Sequence, residues 1–276
     1  MPEVFLLLLS SVIRSIGPST LMPRAQFIPL VRALLPEMIL RISDYKALTF
    51  DCYGTLIDWE SGILHNLAEL SAKADRSLTD DEILEAHALY ESWQQRDTPS
   101  MAYPRLLATV YRRLAEEWGV AVNWDDCLAY GGSVGNWPAF EDSKAALQEL
   151  GQRFKLVILS NVDNQSFARS NAKLGVQFDA VYCAEDIGSY KPDRRNFHHM
   201  IERLSRQGIS AGEILHVAES LFHDHVPAKE MGLNNCWIHR RRGKPGFGAT
   251  REPAIRPDTD FVFTSMREFA AAAGSE

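Results

Sequence analysis

The sequence has few of the features that mark a membrane protein, a nucleic-acid-binding protein or a secreted disulfide scaffold. No apolar run approaches the roughly 20 residues that a transmembrane helix needs. Asp and Glu number 36 against 29 Lys and Arg, a formal net charge of -7, so the chain lacks the basic field that attracts phosphate backbones. We therefore expect neither a membrane nor a nucleic acid as a partner.

Cysteine is also scarce. The four cysteines, Cys52, Cys127, Cys183 and Cys236, are too far apart for the paired spacing of a zinc site, and each has apolar neighbours. Such cysteines are typical of reduced, buried thiols, so we expect a cytoplasmic protein. Internal repeats and low-complexity linkers are absent from the sequence, and a hydrophobic content of 46% is ordinary for a globular chain.

The first forty residues differ from the rest. Residues 4–13 resemble the apolar part of a secretory signal, but Glu3 stands where a positive charge is expected, and no small-residue cleavage site follows. We interpret residues 1–40 as an N-terminal extension outside the folded core. Two alternatives stay open: a translated region upstream of a true start at Met38, and an export signal.

From Asp44 onward, apolar strands alternate with helices. Short apolar runs predict strands at residues 46–50, 155–159, 180–183, 214–218, 235–239 and 261–263. Apolar residues at helical spacing predict helices at residues 142–150, 165–174, 195–206 and 227–231, and a last one from Met266. This alternation predicts an α/β fold with a parallel sheet covered on both faces.

A block of helices interrupts the alternation after the first strand. Helices are predicted at residues 61–74, 80–96 and 104–118, with Asp80 and Asn123 as N-caps. We interpret residues 59–138 as an inserted helical cap, and residues 41–58 and 139–276 as the core. The sequence motif at residues 131–135 matches the nucleophile elbow of serine hydrolases, but the Asn-Trp-Pro that follows favours a hinge between cap and core.

Polar residues stand at the ends of four predicted strands. They are Asp51 and Thr55 after the first strand, Ser160 and Asn161 at the second, Lys191 after the third, and Glu219, Ser220 and Asp224 at the fourth. Because ligands bind beyond the carboxyl ends of parallel strands, we expect these side chains to converge on one site.

The chemistry that these residues permit is nucleophilic catalysis by a carboxylate. Asp51 would attack an electrophilic carbon or phosphorus, and Lys191 would keep it ionised and in position. Ser160 and the main-chain amides around Asn161 would bind oxygens of the substrate. Thr55 would hydrogen-bond Asp51 or its loop, and Asp224 would orient the lysine or direct the water.

These residues resemble the four motifs of the haloacid dehalogenase superfamily. The matching segments are residues 50–56, 159–161, 191–193 and 217–224. The resemblance covers residues 45–270, and it implies a Rossmann-like core, a helical cap and a nucleophile at Asp51.

The second residue after the nucleophile distinguishes between classes of enzyme in this superfamily. Phosphatases of the superfamily carry an aspartate there, whereas this chain has Tyr53, as do the type II 2-haloacid dehalogenases. Those enzymes displace a substituent on the α-carbon of a small carboxylate through an aspartyl ester, without a metal. The resemblance therefore implies that no cofactor is needed, and that Tyr53, Glu219 and Ser220 contact a small-molecule substrate. It is compatible with a homodimer, although the sequence leaves the oligomeric state open.

Three departures from the dehalogenase pattern keep alternatives open. Glu219 and Leu221 replace small polar residues, Phe197 replaces a tyrosine, and the cap arginine cannot be placed among Arg96, Arg105 and Arg112. A buried Glu219 must pair with Lys191, with a metal or with a cationic substrate.

A cationic substrate as the partner of Glu219 suggests a hydrolase that opens the ring of azetidine-2-carboxylate. An enzyme with this activity also belongs to the superfamily. The metal option suggests a phosphatase with Mg²⁺ at Asp51, Glu219 and Asp224. A catalytically inactive binding protein is the remaining alternative.

Overall fold

The computed structural model describes residues 40–276, so the extension predicted for residues 1–40 lies outside the described residues apart from Leu40. Within this range, no helix is both long and apolar enough to cross a bilayer. The described chain is organised around one six-stranded sheet in which all five strand pairs are parallel. The predicted α/β class with a Rossmann-like parallel sheet is confirmed.

The strand order of the sheet reverses at the first strand of the chain. The strands are β1 (Ala47–Phe50), β2 (Lys155–Ser160), β3 (Ala180–Cys183), β4 (Ile214–Ala218), β5 (Asn234–Ile238) and β6 (Phe261–Phe263). Their order across the sheet is β3-β2-β1-β4-β5-β6. The chain therefore adds β2 and β3 on one side of β1, then crosses to the other side for β4. Open α/β sheets bind ligands at such a switch point, beyond the carboxyl ends of the strands.

The strand register brings the predicted site residues to the same edge. Phe50 at the end of β1 pairs with Ile158 of β2 on one side and with Val217 of β4 on the other. Asp51 comes one residue after Phe50, and Ser160 comes two residues after Ile158. The main-chain N–H of Asp51 also donates to the carbonyl of Val217 at 3.1 Å, which continues the β1–β4 ladder as far as the carboxylate.

Helices cover both faces of the sheet. They are α1 (Trp59–Ser71), α2 (Asp80–Asp97), α3 (Tyr103–Glu117), α4 (Trp124–Gly131), α5 (Ser143–Leu150), α6 (Asn164–Leu174), α7 (Ala184–Ile187), α8 (Arg194–Ser205), α9 (Val226–Glu230) and α10 (Met266–Ser275). Alternate residues of a strand face opposite sides. Leu48 and Phe50 share a buried cluster with residues of α5, α6 and α10, whereas Ala47 shares one with Phe197 of α8 and Ala228 of α9.

Helices α1 to α4 all lie in residues 59–138, between β1 and β2, and we call this segment the helical insertion. That this segment forms a separate cap domain stays a prediction. Asn123 caps α4 as predicted, because its side chain accepts from the N–H of Asp126. The prediction of Asp80 as an N-cap is wrong. Thr79 caps α2 instead, because its hydroxyl accepts from the N–H of Glu82, and Asp80 is the first helical residue.

Most predicted helices agree with the structure to within a few residues. The sequence pattern gave no range for α4, although it predicted the N-cap Asn123, and it missed α7; these helices have only 8 and 4 residues. Ser133 follows the end of α4 and precedes a short turn, Val134–Asn136, and its hydroxyl accepts from the indole of Trp137 at 3.2 Å. Ser133 therefore lacks the preceding strand that a nucleophile elbow requires.

Candidate active site

Asp51 lies at the end of the central strand with both carboxylate oxygens bonded. Its Oδ1 accepts from Nζ of Lys191 at 2.9 Å, and its Oδ2 accepts from the hydroxyl of Thr55 at 2.8 Å. The Thr55 hydroxyl in turn accepts from the main-chain N–H of Glu219 at 2.9 Å. The turn that brings Thr55 beneath Asp51 passes through Gly54 at a φ of 97°, a conformation that favours glycine. Asp51 is thus held from two sides before any substrate binds.

Lys191 is buried and makes three hydrogen bonds. Besides Asp51, its ammonium donates to Oδ1 of Asp224 at 2.6 Å and to the carbonyl of Leu159 at 2.9 Å. The backbone of Lys191 is fixed by Asn161, whose side-chain amide accepts from the Lys191 N–H at 2.6 Å and donates to its carbonyl at 2.9 Å. The structure therefore places the predicted lysine beside the predicted nucleophile, and Asn161 positions the lysine.

Asp224 is held by a chain of buried polar groups. It belongs to a single π-helical turn, Leu221–His225, that begins after β4. Its Oδ1 lies 2.9 Å from Nε2 of His216, and Nδ1 of His216 lies 2.9 Å from the hydroxyl of Thr49. The sequence analysis missed His216, although it is the only polar residue of the apolar strand β4. A histidine in such a strand indicates a buried partner.

Burial and mutual charge shift the three central ionisable groups. Burial raises the pKa of Asp51, and the neighbouring Asp224 adds to this, while Lys191 and Thr55 act in the opposite direction. Burial alone would lower the pKa of Lys191, but the two carboxylates raise it above its ordinary value. For Asp224, Lys191 and His216 outweigh burial and hold its pKa well below its usual range. The net effect raises the pKa of Asp51 and lowers that of Asp224, so the same ammonium lies between two carboxyl groups with opposite pKa shifts.

A small cavity of about 30 Å³ lies beside Asp51, which is room for about two water molecules in this conformation. The ends of the strands and the loops after them supply Asp51, Tyr53, Ser160, Asn161, Val162, Lys191, Ser220, His223 and Asp224, and the helical insertion supplies Trp59, Glu91, Gln95 and Tyr103. The predicted site residues Thr55 and Glu219 are not among these lining residues. The helical insertion therefore closes the cavity over the carboxyl ends of the strands.

Ser160 is one of the hydrogen-bonding groups on this wall that are left free for a ligand. Its hydroxyl is buried and bonds no other atom of the described chain, although it borders the cavity. Tyr53 lines the cavity as well, but its hydroxyl hydrogen-bonds Ser170 at 2.8 Å. An unbonded buried hydroxyl costs free energy, so Ser160 is suited to bind an oxygen of the substrate.

Glu219 behaves differently from the other predicted residues. Burial, together with Glu60 and Asp51, raises its pKa to about 8. Its carboxylate forms no ion pair with Lys191, and the nearby Arg241 donates to Glu60 at 2.6 Å instead. Glu219 reaches the centre through its main chain, since its N–H bonds Thr55 and its carbonyl accepts from Trp237.

The described residues contain no ready cluster of metal-ligating side chains. Between residues 40 and 276, no three His, Cys, Asp or Glu side chains are grouped so that they could hold a metal ion. This applies to Asp51, Glu219 and Asp224, and to the run from His223 to His225. The ammonium of Lys191 bridges Asp51 and Asp224.

The sequence analysis also missed the polar residues that the helical insertion contributes. None of Arg96, Arg105 and Arg112 lines the cavity, whereas Glu91 and Gln95 of α2 do. A signal was present, because His87, Glu91 and Gln95 recur every four residues on the buried face of α2. Polar residues at positions that normally pack a core indicate a functional surface.

Comparison with known proteins agrees with this geometry. A family model described as haloacid dehalogenase-like hydrolase matches residues 45–230. The chain belongs to this hydrolase family. It is therefore an enzyme, and the resemblance inferred from the four motifs is confirmed at family level.

Individual relatives of this hydrolase are distant. An (S)-2-haloacid dehalogenase of Burkholderia cepacia is 25% identical over 226 residues, which are 75% of this chain and 88% of the relative. The L-2-haloacid dehalogenase of Xanthobacter autotrophicus with chloropropionic acid covalently bound has a TM-score of 0.67 at 20% identity, covering 82% of this chain and 97% of that one. YfnB, a HAD-hydrolase of Bacillus subtilis bound to magnesium, has a TM-score of 0.64 at 19% identity, covering 83% and 99%.

Proposed function

We propose that this hydrolase displaces the substituent on the α-carbon of a small 2-substituted carboxylate, through an ester on Asp51. The observation that carries the proposal is the arrangement of Asp51, which borders a small cavity while Lys191 and Thr55 bond its two oxygens. The (S)-2-haloacid dehalogenase relative and the structure with covalently bound chloropropionic acid support the same reaction class.

In the first step, a carboxylate oxygen of Asp51 attacks the α-carbon of the substrate. The new C–O bond forms as the bond to the leaving group breaks, and the leaving group departs with the electron pair as a halide. A halide needs no proton, so a second aspartate in place of Tyr53 is not required. The Ser160 hydroxyl, which is free of protein partners within the described chain, binds the substrate carboxylate.

In the second step, water attacks the carbonyl carbon of the ester. The ester C–O bond breaks on the side of the carbonyl, one proton of the water passes to the departing alkoxide and the other is released to solvent, so a 2-hydroxy acid leaves and the Asp51 carboxylate is regenerated. Oδ2 of Asp224 is buried and accepts no hydrogen bond from residues 40–276, so it is available to orient this water. Lys191 donates to the oxygen of Asp51 on which negative charge develops.

A single turnover in ¹⁸O-water tests the ester. With enzyme in excess over 2-chloropropionate, we expect one ¹⁸O atom in the peptide that contains Asp51 and unlabelled 2-hydroxypropionate, because water attacks the enzyme carbonyl. Mass spectrometry of the digested protein and of the product measures both. Label in the product alone would show that water attacks the substrate directly, and would overturn the proposal.

Chelation separates this reaction from that of a metal-dependent phosphatase. We expect kcat to be unchanged after dialysis against EDTA and not to rise when Mg²⁺ is added, because in the proposed displacement Lys191 holds Asp51 and a departing halide needs no metal. The measurement is turnover of 2-chloropropionate and of p-nitrophenyl phosphate with and without the chelator. Phosphatase activity that is lost with EDTA and restored by Mg²⁺ would favour the phosphatase instead.

One observation favours a second candidate reaction, hydrolytic ring opening of azetidine-2-carboxylate. The cavity wall carries three carboxyl groups, Asp51, Glu91 and Asp224, and within residues 40–276 no arginine lines it. Such a wall suits a leaving group that is an ammonium better than one that departs as an anion. The nucleophile and the ester would be the same, and the ring nitrogen would leave as a neutral amine.

A further inference from the structure

Glu91 is a buried carboxyl group on the side of the cavity that the helical insertion forms. It is 4% exposed and lies on α2, and it borders the same cavity as Asp51. The Tyr103 hydroxyl donates to its Oε1 at 2.8 Å, and the side-chain amide of Gln95 donates to the same oxygen at 3.1 Å. These two donors fix the orientation of the carboxyl group.

The second oxygen of Glu91 has no donor within the described chain. Nδ1 of His87 is the nearest basic atom, but it lies 3.6 Å from Oε2, which is too long for a hydrogen bond. Burial lowers the pKa of His87 to about 3, so its ring is uncharged. Both neighbours that bond Glu91, Tyr103 and Gln95, are neutral as well. Residues 40–276 therefore supply no positive charge to this carboxyl group.

A buried carboxylate without a cation is unfavourable. Burial accordingly raises the pKa of Glu91 to about 7, so the group is readily converted between its neutral and charged forms. The other titratable groups on the wall do not compensate it. Lys191 is bonded to Asp51 and Asp224, and burial lowers the pKa of His223 to about 4.

We propose that Glu91, held by Tyr103 and Gln95, forms a cation subsite that accepts the ammonium group of a small 2-substituted carboxylate. The substrate would bring the positive charge that the wall lacks, while its carboxylate binds at the free hydroxyl of Ser160, which lines the same cavity. This inference rests on the proposed function, in which Asp51 attacks the α-carbon of the substrate. It adds that the substrate carries an ammonium group, which Glu91 binds.

Glu91→Gln removes the negative charge of the side chain but keeps its shape. If Glu91 binds the ammonium group, this substitution should shift KM in opposite directions for two substrates. KM for azetidine-2-carboxylate, whose ring nitrogen is an ammonium, should rise at least about tenfold, because a charge-assisted hydrogen bond is lost. KM for 2-chloropropionate, which has no ammonium, should fall, because a negative charge leaves the wall that faces an anion. Steady-state kinetics on both substrates measures the shifts.

Glu85→Gln is the matched control, because Glu85 is exposed on the same helix and lies outside the cavity. It should leave both KM values unchanged. Shifts of the same direction for both substrates in Glu91→Gln would indicate a general structural role, and would overturn the cation subsite. No shift for azetidine-2-carboxylate would overturn it equally.

A binding measurement separates this inference from the proposed reaction. Calorimetry with Asp51→Asn, which cannot form the ester, should detect azetidine-2-carboxylate, and adding Glu91→Gln should weaken that binding at least about tenfold. Binding that is unchanged in the double variant, or absent from Asp51→Asn, would overturn the subsite even if 2-chloropropionate is turned over. Binding that depends on Glu91 would support it even if neither compound is hydrolysed.

Discussion

Asp51→Asn is expected to lower kcat at least about 10⁴-fold, the scale of loss when a covalent nucleophile is removed. The amide keeps the shape of the carboxylate but is a far weaker nucleophile. The fold should be retained, because Lys191 still bonds Asp224 and the Leu159 carbonyl. We therefore expect an unfolding midpoint within about 5 °C of the parent. Initial rates with 2-chloropropionate and thermal unfolding measure the two quantities.

The control for this substitution is Asp125→Asn, at an exposed position of α4, which should change neither quantity. The mass of the Asp51→Asn protein must be checked, because deamidation would restore the carboxylate. Normal turnover by the intact amide would show that no ester forms on residue 51. Loss of turnover together with loss of the fold would leave only the ¹⁸O experiment to decide the mechanism, so both experiments are needed.

Lys191→Met should have the largest effect on stability as well as a loss of activity. The substitution leaves Asp51 and Asp224 buried without the ammonium that lies 2.9 and 2.6 Å from them. Removing one partner of a buried ion pair costs about 3–5 kcal/mol, and we expect the unfolding midpoint to fall by about 10 °C. We also expect kcat to fall at least about 10³-fold, the scale for loss of a group that stabilises developing charge. Thermal unfolding and initial rates measure both effects.

A double variant distinguishes the structural role of Lys191 from its catalytic role. Lys191→Met/Asp224→Asn removes one of the two uncompensated charges, so it should recover part of the lost unfolding midpoint. It should not recover activity, because Asp51 still lacks the ammonium. Recovery of activity together with stability would show that Lys191 acts only through the fold. Lys144→Met, at an exposed position of α5, provides the matched control.

The sheet and the central ion pair could be predicted from the sequence because both depend on local patterns. Apolar runs of four to six residues defined β1 to β4, and the polar site residues lie at the ends of these strands or in the segments that follow them. Parallel strands end at one edge, so Asp51 and Lys191 could be placed together although they are 140 residues apart in sequence.

The walls of the cavity could not be predicted in the same way. The direction in which a helix presents its side chains depends on how it packs, and α2 buries Glu91 and Gln95 along with apolar residues. Periodicity alone does not separate such a face from a solvent-exposed one. Glu219 shows that a recognised motif position does not fix where its side chain lies. It was predicted to contact the substrate, but it does not line the cavity.

The burial of the cysteines bears on how this enzyme would survive its own substrates. α-Halo carboxylates alkylate thiolates, and Cys52 is the immediate neighbour of Asp51 in sequence. All four thiols are buried, and burial raises the pKa of each, which keeps them protonated. If the substrate is an α-halo carboxylate as proposed, the buried and protonated thiols would suppress self-inactivation, because a thioether on cysteine would be permanent whereas an aspartyl ester would be opened by water.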